Sequence, residues 1–141
     1  MGSYAVSKQR LYHVNRWDDL LWLRLAVGNR DGSSIVKVRL LIDTGASFTT
    51  MPTRVLQLVG CQLEQPLRRQ IITAASSTIS APVVAVPWFN CLGQRIENFP
   101  VVAYTIPANA FVDGLLGIDF LRKYRAIINV AEAEIWIVGD D

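Results

Sequence analysis

Leu41-Ile42-Asp43-Thr44-Gly45-Ala46-Ser47 decides how this chain is read, because it sets a carboxylate in a tight glycine turn at the end of an apolar run. Within residues 35–42, Ile35, Val36, Val38 and Leu40 stand against Lys37 and Arg39, the period of a half-buried strand. Residues 20–27 form an earlier apolar stretch, and Gly28-Asn29-Arg30-Asp31-Gly32-Ser33 between the two tolerates turn conformations. Together they predict a hairpin that delivers the chain into Asp43-Thr44-Gly45. Past the turn, Phe48-Thr49-Thr50-Met51 is short and β-like, and Pro52 opens a helical piece over 53–59 that Gly60 closes.

Further along, residues 67–74 and 78–89 read as two strands joined through Ala75-Ser76-Ser77, a hairpin with a small-residue tip. Pro82 and Pro87 cannot donate ladder hydrogen bonds, which predicts an edge or bulged strand for the second arm. Residues 95–106 read as another strand. Phe111-Val112-Asp113-Gly114-Leu115-Leu116-Gly117 then leads into a short helix over 118–124, and 126–130 pairs with 134–138 across Ala131-Glu132-Ala133. The expected class is mostly β, a closed barrel with one or two short helices. A chain of 141 residues suffices for one self-sufficient core. That domain is expected over 19–141, preceded by an extended, partly ordered N-terminal arm over 1–18.

Composition narrows the function. The formal charge is only +2, and the basic residues fall in pairs (Arg68-Arg69, Arg122-Lys123) without interleaved aromatics, so nucleic acid is not an expected partner. Cys61 and Cys91 stand apart from any ligand at metal spacing, and neither a metal nor a cofactor is expected. Apolar runs fall short of the ~18 residues a membrane span needs, and no secretory signal pattern opens the chain. A cytoplasmic protein is the expectation. Half the residues are apolar (51%), which suggests surface covered by a second copy. His13, the single histidine, has no nucleophile pattern beside it, which argues against Ser-His-Asp or Cys-His chemistry. A hydrolase built on Ser47 or Cys61 would lack a general base.

Two motifs then carry a resemblance: Leu41 to Ser47, and Asp113-Gly114-Leu115-Leu116-Gly117-Ile118-Asp119-Phe120-Leu121. Over about residues 20–138 the chain resembles the retropepsin family, the retroviral and retrovirus-like aspartic proteases, and looks closest to its single-domain bacterial members. The resemblance implies a closed barrel of the acid-protease type with a flap hairpin over residues 71–80. It implies a catalytic Asp43, with Thr44 reaching across a two-fold axis and Gly45 permitting the turn. Leu116, Gly117 and Asp119 would support that loop. Leu41, Ala46, Ser47, Ile72, Ala75, Ser76, Ser77, Val112 and Leu115 would contact an extended polypeptide substrate.

The chemistry explains why such a site needs two copies. Peptide hydrolysis without a metal uses one carboxyl to take a proton from water and another to protonate the carbonyl oxygen. Two carboxylates ~4 Å apart repel by about 4 kcal/mol at an effective dielectric near 20, so the pair keeps one shared proton. This chain has one Asp-Thr-Gly, so a homodimer must supply the second. Ala46 stands where pepsin-like enzymes often carry a serine that stabilises the ionised dyad, which predicts activity at mildly acidic pH. No glycine lies between Gly60 and Gly93, unlike the usual flap tip, and Ile118 replaces the arginine of retroviral enzymes, which predicts a weaker dimer. The alternative from another class is a non-catalytic peptide-binding or scaffold module with the same fold.

Overall fold

The computed structural model describes residues 9–74 and 76–139. Strand β3 (Leu20–Gly28) turns Leu21, Leu23, Leu25 and Val27 inward, and β4 (Ile35–Ile42) does the same with Val38 and Leu40. The two pair antiparallel from Trp22↔Leu41 to Gly28↔Ile35, as the alternating pattern requires. After Asp43 the chain makes a loop, the short strand β5 (Thr50–Met51) and helix α1 (Thr53–Leu58). Strands β6 (Arg68–Ala74) and β7 (Ser77–Cys91) form a hairpin, and Leu92 and Gly93, at φ 49 and 72, turn β7 into β8 (Gln94–Ala103). Two left-handed residues in a two-residue loop match the twist of the flanking strands.

The barrel closes because β3 pairs with both β4 and β7. Strand β9 (Gly114–Leu116) fits between β4 and β5, which gives the ring β3-β4-β9-β5-β8-β7 and back to β3. Strands β2 (Asn15–Trp17) and β6 extend the sheet beyond the ring. Helix α2 (Ile118–Lys123) packs on the core with Phe120 and Leu121 buried, and the Phe120 ring meets Phe89 at 6.3 Å and Tyr124 at 4.9 Å. A separate sheet orders β1 (Gln9–His13), β11 (Glu134–Val138) and β10 (Ile127–Asn129), its Ile135 and Ile137 joining the core. This is a mostly β barrel closed by six strands, with two short helices.

Residues 9–17, within the stretch expected as an arm, are paired. β1 runs along β11, β2 along β3, and the Arg16 guanidinium donates to the carbonyls of Val130 and Ala131 at 2.7 and 2.9 Å.

Strand β7 corrects the reading of Pro82 and Pro87. It is not an edge: β8 lies along one side, and β6 and then β3 along the other. Pro87 falls in the gap between partners, after β6 ends at Val83 and before β3 begins at Trp88, so its missing N–H interrupts no ladder there. The Val83 carbonyl accepts the Leu67 N–H at 2.9 Å, toward β6. Strand alternation therefore points the nitrogen of Pro82 to the other side, where β8 pairing begins only at Val83.

Candidate active site

Asp43 follows β4 directly, and its position is set by β9. The two strands run parallel, with Leu41 opposite Leu115 and Ile42 opposite Leu116, and the Asp43 N–H donates to the Leu116 carbonyl at 3.0 Å. The chain then loops over the end of β9 and returns as β5 on its far side, with Thr50 opposite Leu115. Inside the loop, Asp43 Oδ1 accepts the Gly45 N–H at 2.9 Å and the Asp43 carbonyl accepts the Ala46 N–H at 3.2 Å. The carboxyl is thus oriented by the backbone it begins, while remaining half-buried rather than sealed.

Beneath the loop is a polar clasp. Both Asp119 oxygens accept the Thr49 N–H, at 3.0 and 3.1 Å, and Oδ1 also accepts the Thr49 hydroxyl and the Phe120 N–H, each at 2.8 Å. The Thr49 hydroxyl oxygen in turn accepts the Gly117 N–H at 3.1 Å, and the Ile118 N–H donates to the Ala46 carbonyl at 2.8 Å. Thr49 is fully buried, so these bonds satisfy groups that water cannot reach. Gly117 has no space for a side chain: a Cβ would lie 2.6 Å from the Phe48 carbonyl carbon and 2.8 Å from its oxygen.

A cavity of about 560 Å³ opens beside the loop. Of the expected catalytic and contact residues, Gly45, Ala46, Ser47, Ile72 and Leu115 line it. Asp43 adjoins it through its bond to Gly45, whereas Leu41, Thr44, Ser76, Ser77 and Val112 are not in its walls, and Ala75 lies outside the described residues. Val112 is buried. Ile71 and Thr73 come from the hairpin, and Phe48 and Thr50 from the chain just past the loop. Tyr104, Ile106 and Pro107 also line it, brought there because β5 and β8 run parallel and the Tyr104 N–H reaches the Met51 carbonyl at 3.0 Å. No periodicity announces these last three. Only the strand order places them.

Asp113 is occupied by its own strand neighbour. Its Oδ2 accepts the Arg39 N–H at 2.8 Å, while its N–H donates to the Arg39 carbonyl at 2.7 Å. A second cavity, about 440 Å³, lies by the β3–β4 turn with Cys61 in its wall. Burial pushes the Cys61 thiol above its ordinary pKa and pushes the buried Cys91 higher still. Among the described residues no group of three His, Cys, Asp or Glu side chains could hold a metal, and no helix is long and apolar enough to cross a membrane.

A carboxylate loop wrapped over an inserted strand, a supporting clasp and a hairpin-walled cavity, all on a closed six-strand barrel, define the aspartic-protease class of fold. Residues 27–120 match the aspartyl protease family, and the chain belongs to that family. Among solved structures the fold is similar to a retropepsin-like aspartic protease from Rickettsia conorii, with TM-score 0.63 and 18% identity over 92% of this chain and 89% of that one. It is also similar to the retroviral protease-like domain of Ddi1 from Leishmania major, with TM-score 0.52 and 16% identity over 79% and 82% of the two chains. No curated protein matches the sequence significantly.

Proposed function

We propose that the chain is an aspartic endopeptidase that acts as a homodimer, with the Asp43 carboxyls of two copies sharing one proton and activating a water between them. The observation that carries this reading is the held Asp43 carboxyl, fixed through Leu116 and Gly45 at the edge of the cavity. One carboxyl serves as base toward water while the other protonates the scissile carbonyl, and the roles reverse as the amine leaves. Thr44 is exposed at the outer turn of the loop, where its hydroxyl is free to reach the partner's loop across the two-fold axis.

The substrate is a polypeptide in extended form. It lies between the Asp43 loop and the β6–β7 hairpin, which acts as the flap, pairing by its main chain and filling the cavity with apolar side chains beside Ile72 and Leu115. Ala46 offers the dyad no hydroxyl, so activity is expected at mildly acidic pH; a rate maximum well below pH 3 would contradict that.

The test is to incubate wild type and Asp43→Asn with a diverse peptide mixture across mildly acidic to neutral pH while measuring molecular mass. Cleavage by wild type alone, appearing together with the dimer, is the expected result. Equal inactivity of both proteins in a confirmed dimer would overturn it in favour of a non-catalytic peptide-binding module.

A further inference from the structure

Trp17 closes β2, Trp22 lies in β3, and Phe111 precedes β9; the fold gathers these three rings on one surface. Trp17 stacks on Phe111 with centroids 4.3 Å apart, and Trp22 meets the same ring edge-on at 6.5 Å. Despite that stacking, Trp17 remains 55% exposed, while Trp22 and Phe111 are half-buried, so part of an aromatic face is left open to water. It shares a sheet face with Leu115 of the candidate cavity. Leu115 lines the cavity, Leu41 is its partner on β4, and Trp22 is the partner of Leu41 on β3. That row spans roughly 10 Å, about three residues of an extended peptide.

Two positions further along the same faces stand Arg24 and Arg39, direct partners across β3 and β4. The Arg24 guanidinium lies 5.8 Å from the Trp22 ring centre, which confirms that it shares this surface. Like charges directly opposite each other destabilise a sheet unless an anion lies between them. Asp113, the acid beside them, already holds the Arg39 N–H with Oδ2, and among the described residues neither guanidinium has an ion-pair partner. Residues 17, 22 and 24 precede the segment 27–120 that matches the family, whereas Arg39 and Phe111 lie within it.

We propose that the Trp17–Phe111–Trp22 face, with Arg24 and Arg39 beyond it, recognises the outer part of a peptide substrate, taking one large apolar or aromatic side chain and an acidic one outside the cavity. This rests on the protease reading above. The aromatic face supplies contact area at low entropic cost, and the arginine pair selects a carboxylate. Both act on binding rather than on the chemical step.

The test compares a short peptide confined to the cavity with the same peptide extended by a segment containing Trp and Glu. For wild type the extension is expected to lower KM about tenfold with kcat little changed. Trp17→Ala should abolish that gain while leaving the short peptide unaffected, and Arg24→Gln should abolish only the preference for Glu over Gln in the extension. Equal effects of Trp17→Ala on both peptides, or a loss of dimer mass, would overturn the proposal and assign the face to the fold or to a second copy. Binding of both peptides to Asp43→Asn, followed calorimetrically, separates the two readings. Tighter binding of the extended peptide sustains this site even if wild type cleaves nothing, and equal binding refutes it.

Discussion

Gly117 and Asp119 show how much of the site rests on single atoms. A Cβ at 117 would press on the backbone of Phe48 and Thr49, which cannot swing aside as a side chain could. Gly117→Ala is therefore expected to destabilise the protein by about 2–3 kcal/mol in urea titration. Asp119→Ala strips acceptors from the Thr49 N–H, the Thr49 hydroxyl and the Phe120 N–H at once, and a comparable loss of about 3 kcal/mol is expected. The thiols behave differently from exposed ones because burial holds them protonated. Cys91 should react with a thiol reagent only on unfolding, and Cys61 more slowly than a free cysteine. The sign of the pH effect follows: the unfolded Cys91 thiol ionises near its ordinary value of 9.0, while the folded one does not until higher pH. Its contribution to stability is complete below pH 9.0 and is lost as pH rises above it toward the folded value. A thermal melt series across that range should show a shallower alkaline decline for Cys91→Ala than for wild type.

Among the elements, the β6–β7 hairpin connects fold to function most directly. Its first arm, β6, lies outside the ring, pairs with β7 from Arg68↔Val83 to Ala74↔Ser77, and contributes Ile71, Ile72 and Thr73 to the cavity. One side chain ties its arms together: Arg69 donates from Nε to the Ser80 hydroxyl at 2.8 Å and from its terminal nitrogen to the Ser80 carbonyl at 2.7 Å. Both bonds are exposed, so their loss should change global stability little. Arg69→Ala is expected to speed amide exchange within residues 68–83 while leaving the melting temperature within about 2 °C of wild type. Uniform protection in the variant would mean that the backbone ladder alone sets the hairpin's opening. In the same hairpin the two prolines of β7 argue for an edge or bulged strand, yet each nitrogen falls where no partner asks for a donor, and only the arrangement of β3, β6 and β8 makes that so.

At the scale of the whole molecule, the proposed dimer makes activity depend on concentration, because each chain carries half of a dyad. Specific activity should rise with protein concentration and level off as the dimer saturates, in step with mass measured at the same concentrations. Activity independent of concentration in a monomer would refute the two-copy mechanism. Local pattern in the sequence was enough for the strand 35–42, the closing strand 134–138, the two helices and the barrel class, since alternation, proline and glycine act over a few residues. That Asp43-Thr44-Gly45 and Leu115-Leu116-Gly117 belong near one another came from the resemblance those motifs carry rather than from local pattern, and in the fold the Asp43 N–H to Leu116 carbonyl bond joins the two stretches. The insertion of β9 between β4 and β5, the delivery of Tyr104, Ile106 and Pro107 to the cavity, and the union of Trp17, Trp22 and Phe111 were not legible. Each depends on which strands become neighbours, a choice made by closing the whole barrel over its core, and no short stretch of sequence contains it.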